Sequence, residues 1–110
     1  MSFDSYEKNG FTVISVSESR LDASISDLFQ AYVCDRMTQN TDQFIIDLSS
    51  VKFMDSSGLG TLVACFKKIN GMNKNMYLAS PQPAVKDLLD LTSMDKIFQI
   101  FTSLEQALNG

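Results

Sequence analysis

Between the fifty-first and sixtieth residues the chain reads Val51-Lys52-Phe53-Met54-Asp55-Ser56-Ser57-Gly58-Leu59-Gly60, and this segment departs from plain core-and-surface patterning. A carboxylate, two hydroxyls and two glycines meet where an apolar strand gives way to a helical pattern. The first turn of a helix carries N–H groups without intrahelical partners and the positive end of the helix dipole. Such a place stabilises an anion without a dedicated cation. The chemistry on offer is therefore capping by Asp55, Ser56 or Ser57, or acceptance of a negatively charged group on a serine hydroxyl. Gly58 and Gly60 add a second hint, because each glycine in an opening helical turn costs about 0.8–1.0 kcal/mol relative to alanine. That cost suggests that something approaches the backbone closely there.

Enzymatic chemistry finds little support. The sequence has no histidine to activate Ser56 or Ser57. It contains no G-x-x-x-x-G-K phosphate loop, and Gly58-Leu59-Gly60 is too short for a dinucleotide fingerprint. Asp47 and Asp55 are an acid–base pair in principle only, since Asp47 falls at a strand end and nothing nearby positions a substrate. Cys34 and Cys65 are isolated and read as small helix-packing residues, not as a metal site or a disulfide framework. No catalytic residue, metal or cofactor is expected.

The elements that position this segment follow from periodicity. Asn9-Gly10 is a two-residue hairpin signal before Phe11-Thr12-Val13-Ile14-Ser15-Val16, with the polar arm Ser5-Tyr6-Glu7 expected at a sheet edge. Ile25, Leu28, Phe29, Tyr32 and Val33 trace one face of a first helix, with Ser24 as its expected N-cap and Thr38-Gln39-Asn40-Thr41 as its end. Phe44-Ile45-Ile46-Asp47-Leu48 is almost continuously apolar, as a strand covered on both faces should be. A second helix is expected through Leu59, Leu62, Val63, Phe66 and Ile69, closing near Gly71 as a C-terminal glycine. Asn75–Ala79 follows as a strand. Pro81 and Pro83 then introduce a third helix through Val85, Leu88, Leu89 and Leu91. Ile97–Phe101 is expected as a final strand, and Ser103-Leu104-Glu105-Gln106 has the capping-box spacing of a closing helix. The six methionines, Met54, Met72, Met76 and Met94 among them, read as adaptable packing.

The expected fold is α/β: a single domain over residues 1–110 with a mixed sheet of about four to five strands and about four helices. Hydrophobic residues make up 45% of the 110, enough for one core. The net charge of −4 comes with nine scattered Lys and Arg residues, which argues against nucleic acid as a partner. Lys67-Lys68 reads as a solvated helix face. No apolar run approaches the ~20 residues of a membrane span, and Met1-Ser2-Phe3-Asp4 lacks the character of a signal peptide, so a cytoplasmic protein without membrane insertion is expected.

Asp55-Ser56-Ser57-Gly58-Leu59-Gly60, preceded by Ile45-Ile46-Asp47-Leu48-Ser49-Ser50-Val51, resembles the signature of STAS domains of the anti-sigma factor antagonist family. Leu21-Asp22, the stretch Ser80-Pro81-Gln82-Pro83-Ala84-Val85 to Leu91-Thr92, and Ser103–Leu108 extend the resemblance over nearly the whole chain. It implies that Ser57 is the serine phosphorylated by a GHKL-type serine kinase that doubles as the anti-sigma factor. It further implies that the unphosphorylated form binds that kinase, and that a PPM-type serine phosphatase restores it. Asp22, Asp55, Ser56, Ser57, Gly58 and Leu59 are the expected partner-binding residues, on a monomer or weak dimer. For Asp55 a capping role and a role in kinase recognition stay equally open, and Asp22 is as readily a loop carboxylate as a partner contact. Ser19-Arg20-Leu21-Asp22 stands where the family more often has Gly-x-Leu-Asp, a departure that bears on the partner surface near Asp22. The alternative is a structural STAS subunit, of a stressosome-like or lipid-transport assembly, that docks by the same helix face without a phosphate cycle.

Overall fold

The computed structural model describes residues 2–38 and 41–109. Strands β1 (Phe3–Lys8) and β2 (Phe11–Val16) form the expected hairpin, pairing Lys8 with Phe11 across the turn. Asn9 and Gly10 both take positive φ, 54° and 84°, the mirror-image turn whose twist matches that of the flanking strands. A two-residue strand β3 (Arg20–Leu21) leads to helix α1 (Ser26–Arg36), followed by β4 (Gln43–Asp47), a second two-residue strand β5 (Phe53–Met54) and helix α2 (Ser56–Gly71). Then come β6 (Asn75–Ala79), α3 (Pro83–Leu91), a single 3-10 turn (Met94–Lys96), β7 (Ile100–Phe101) and α4 (Leu104–Asn109).

The main sheet has the order β1-β2-β4-β6-β7, with β1 antiparallel and the other strands parallel. β4 lies in the middle, as its unbroken apolar run requires: Phe44, Ile45 and Ile46 are all fully buried. Ile14, Phe44, Ile46, Met76 and Leu78 face the larger core, closed by α1, α2 and α3. Val13, Ile45 and Ala79 face the other side, where α4 covers them with Ala107, Leu104 and Leu108. β3 and β5 form a separate parallel ribbon, pairing Arg20 with Phe53 and Leu21 with Met54.

Several local expectations are corrected by these contacts. Ser24 does not cap α1: the helix begins after Ile25 without a side-chain cap, while Ser24 donates both its N–H and its hydroxyl to Asp22. The buried stripe of α1 is Ser26, Phe29 and Val33, and Leu28 stands 63% exposed, because the helix is rotated to seat Phe29 against Phe3. At the end of that helix, Gln39 and Asn40 lie outside the described residues. Gly71 is the last helical residue of α2, and the left-handed position belongs to Asn73 with φ 61°. There Asn73 N–H reaches Asn70 O and Lys74 N–H reaches Ile69 O, a Schellman closure in which asparagine replaces glycine. Leu91 is 84% exposed at the end of α3, two residues beyond the turn that Val85 and Leu89 bury. The final strand is shorter than Ile97–Phe101, since Ile97 and Phe98 close the 3-10 turn by bonding to the Met94 carbonyl.

Candidate functional site

Asp55 resolves the question of what caps α2. Its backbone is extended, with φ −103° and ψ −174°, and its Oδ1 accepts the Gly58 N–H at 2.9 Å. The first intrahelical bond runs from Leu59 N–H to Asp55 O at 3.0 Å. Ser56 and Ser57 therefore occupy the first two helical positions, ahead of that bond, and both are exposed. Ser57 places its hydroxyl in solvent over the positive end of a helix of 16 residues.

The second carboxylate oxygen of Asp55 accepts the Ala23 N–H at 3.3 Å, so one side chain joins the start of α2 to the turn that begins α1. Asp22 organises that turn. Its Oδ1 accepts the Ser24 N–H at 3.0 Å, its Oδ2 lies 3.2 Å from Arg20 Nε, and its carbonyl accepts from Ile25 N–H, Ser26 N–H and the Ser26 hydroxyl. The hydrogen bonds from the Ser24 side chain and backbone, followed by the one from Arg20, hold the Asp22 carboxyl below the usual carboxylate range. Asp22 is thus an internally bonded turn residue as well as a neighbour of the Asp55 cap.

The two glycines part company. A Cβ on Gly58 would stand 2.1 Å from the Leu21 carbonyl oxygen, so the close approach inferred from this glycine is to the chain's own backbone. A Cβ on Gly60 would meet nothing within 4 Å, so the close approach inferred there is absent. Leu59, half-buried, turns inward and anchors the first turn to the core.

Sequence periodicity missed the β3–β5 ribbon, whose two-residue strands are too short to show a period. Lys52 and Phe53 N–H groups converge on the Ser19 carbonyl at 2.7 and 3.1 Å, and the Arg20 guanidinium lies 4.4 Å from the centre of the Phe53 ring. Arg20 and the partly exposed Phe53 thereby join the face carrying Asp22, Ser56 and Ser57. The ribbon forms without a glycine at position 19. Asp47 is drawn into a separate turn, accepting the Ser49 N–H at 3.0 Å, and so forms no pair with Asp55. Among the described residues there is no group of three or more side chains able to hold a metal ion, and no helix is long and apolar enough to cross a membrane.

A five-stranded mixed sheet flanked by four helices, with an Asp-capped serine pair at the head of α2, defines a recognisable class. The chain belongs to the STAS domain family, whose profile matches residues 2–107. It is 29% identical over 100 residues to the anti-sigma F factor antagonist of Paenibacillus polymyxa, covering 90% of this chain and 85% of that one. It is 28% identical over 104 residues to the anti-sigma-F factor antagonist RsfB of Mycobacterium tuberculosis, covering 94% of this chain and 84% of that one. The crystal structure of an anti-sigma factor antagonist from Mycobacterium paratuberculosis superposes with a TM-score of 0.87 at 26% identity, over 97% of this chain and 90% of that one.

Proposed function

We propose that the protein is an anti-sigma factor antagonist of a partner-switching pathway. In its unphosphorylated form it binds a GHKL-type serine kinase that is also the anti-sigma factor; phosphorylation of Ser57 releases it, and a PPM-type serine phosphatase resets it. Asp22, Asp55, Ser56, Ser57, Gly58 and Leu59 form the docking face, the last two by shaping the first turn of the helix. The protein is a regulatory binding partner and not an enzyme.

The observation that carries this reading is the exposed Ser57 hydroxyl at the second helical position, where Asp55 has already taken over capping. A phosphate added there brings about −1.5 to −2 charges at pH ~7 and three acceptor oxygens. The helix terminus tolerates that charge, whereas a protein surface closing over it must desolvate a dianion beside the Asp55 carboxylate. Release is then an interface effect that leaves the fold intact.

Incubation with ATP and a GHKL-type serine kinase from the same organism, followed by peptide mapping in a mass spectrometer, tests the assignment. Phosphate is expected on Ser57. Ser57→Ala should abolish labelling and retain kinase binding, while Ser57→Asp should weaken binding. Labelling at Ser56 instead, or undiminished binding by Ser57→Asp, overturns it.

A further inference from the structure

The outer side of β1 is an unused strand edge, and its chemistry selects what pairs with it. The Ser17 N–H donates to the Ser2 carbonyl at 2.8 Å, and the register then runs from Phe3 opposite Val16 to Lys8 opposite Phe11. Hydrogen-bonded and non-hydrogen-bonded pairs alternate along antiparallel strands. The main-chain groups of Asp4, Tyr6 and Lys8 therefore point toward β2, and those of Phe3, Ser5 and Glu7 point away from the sheet. Among the described residues, no strand pairs with that outer side.

We propose that this edge pairs with the β1 edge of a second copy of the chain, antiparallel about a two-fold axis at Tyr6, joining the two sheets into one. Symmetric pairings that overlap by three or more β1 residues and bring Phe3, Ser5 and Glu7 into register are centred on Asp4, Ser5, Tyr6 or Glu7. The first sets Asp4 opposite Asp4 and the last sets Glu7 opposite Glu7, and like charges directly opposite are destabilising. Centring on Ser5 sets Asp4 against the Tyr6 ring and pairs no charges. Centring on Tyr6 sets Asp4 opposite Lys8 at two symmetry-related places and Ser5 opposite Glu7 at two more.

The surroundings complement that last register. Arg36 donates from Nε to Ser5 Oγ at 3.1 Å, so its guanidinium already stands over the place that Glu7 of the second copy reaches. Tyr6, 41% exposed, meets its symmetry mate at the axis. On the opposite face, α1 lies over β1 through the Phe3–Phe29 and Phe3–Tyr32 ring contacts, and it carries the exposed Leu28 beside an open hollow lined by Phe3, Ala31 and Tyr32. The two-fold brings the second α1 to that same face with its Arg36 end nearest the axis, while the Leu28 hollow lies toward the Asn9-Gly10 turn of the second copy. The Ser57 face belongs to α2, at the other side of α1, and stays open, so the pairing stands or falls independently of the phosphorylation reading.

Sedimentation velocity over a micromolar-to-millimolar range tests the proposal on the whole chain. The unmodified chain is expected to dimerise. Asp4→Lys places lysines opposite each other at both symmetry-related positions, and Lys8→Asp places aspartates there; each alone should raise the dimer dissociation constant about tenfold. An equimolar mixture of the two variants has opposite charges at every one of those positions and should associate at least as tightly as the unmodified chain. Glu7→Pro removes an outward N–H without touching the β2 ladder and should give a monomer with an unchanged circular dichroism spectrum. A chain that stays monomeric throughout, single variants that dimerise like the unmodified chain, or a mixture that fails to associate overturns the proposal.

Discussion

Gly58 and Leu21 are in backbone contact: a side chain at position 58 would start 2.1 Å from the Leu21 carbonyl oxygen. The serine-bearing turn of α2 is thus seated directly on the ribbon that leads to Asp22. Gly58→Ala has to push the helix off that ribbon, an overpacking cost of about 1–3 kcal/mol. Gly60→Ala meets no obstacle and should stabilise the chain by about 0.5–1 kcal/mol through helix propensity. Urea unfolding of the two variants side by side checks the opposite signs.

Asp55 closes two main-chain groups on two elements. Asp55→Ala leaves the Gly58 and Ala23 N–H groups without their carboxylate and should cost about 1–2 kcal/mol, as lost helix caps do. Asp55→Asn keeps an acceptor for the helix and should recover most of that loss. Thermal unfolding of both variants separates a capping role from a role confined to partner recognition, which would leave stability unchanged.

Phosphorylated Ser57 should melt within a few degrees of the unmodified protein, because a negative charge in the first helical turn contributes about 0.3–1 kcal/mol in its favour. A circular dichroism melt of kinase-treated protein is the measurement. Wholesale unfolding would show that the switch works by breaking the domain and not by repelling a partner.

Asp22 links turn geometry to pH. Its folded-state carboxyl lies below the ordinary value of about 3.9, so its contribution is fully present above that value and fades as pH falls through the lower, folded one. Asp22→Asn should be less stable than the unmodified chain at pH ~6, with the difference narrowing as pH falls below about 3.9. Denaturant titrations across that range would reveal the convergence.

Cys65, fully buried between helices, has its thiol pushed up to about 12, first by burial and then by the proximity of Cys34. At pH ~8 its thiolate fraction is on the order of 10⁻⁴. Iodoacetamide should therefore modify the half-buried Cys34 in the native protein and reach Cys65 only after urea is added, as peptide mass mapping would show.

Patterns with a local cause were readable from residue order. Asn9-Gly10 specifies its turn because both residues accept positive φ, and Pro83 opens α3 because its missing N–H costs nothing there. The run Phe44–Ile46 announces a central strand because such a stretch must be covered on both faces. The Asp-Ser-Ser-Gly order likewise pointed to a helix entrance. What residue order left open were contacts between segments far apart in the chain. Whether Asp55 or a serine takes the cap depends on which side chain can also reach Ala23, a residue 32 positions away. The different meanings of Gly58 and Gly60 depend on where the Leu21 carbonyl lies, and the exposure of Leu28 and Leu91 depends on how each helix is rotated against the sheet. Periodicity reports that a helix has an apolar face; the packing of neighbouring elements sets which residues of that face are buried.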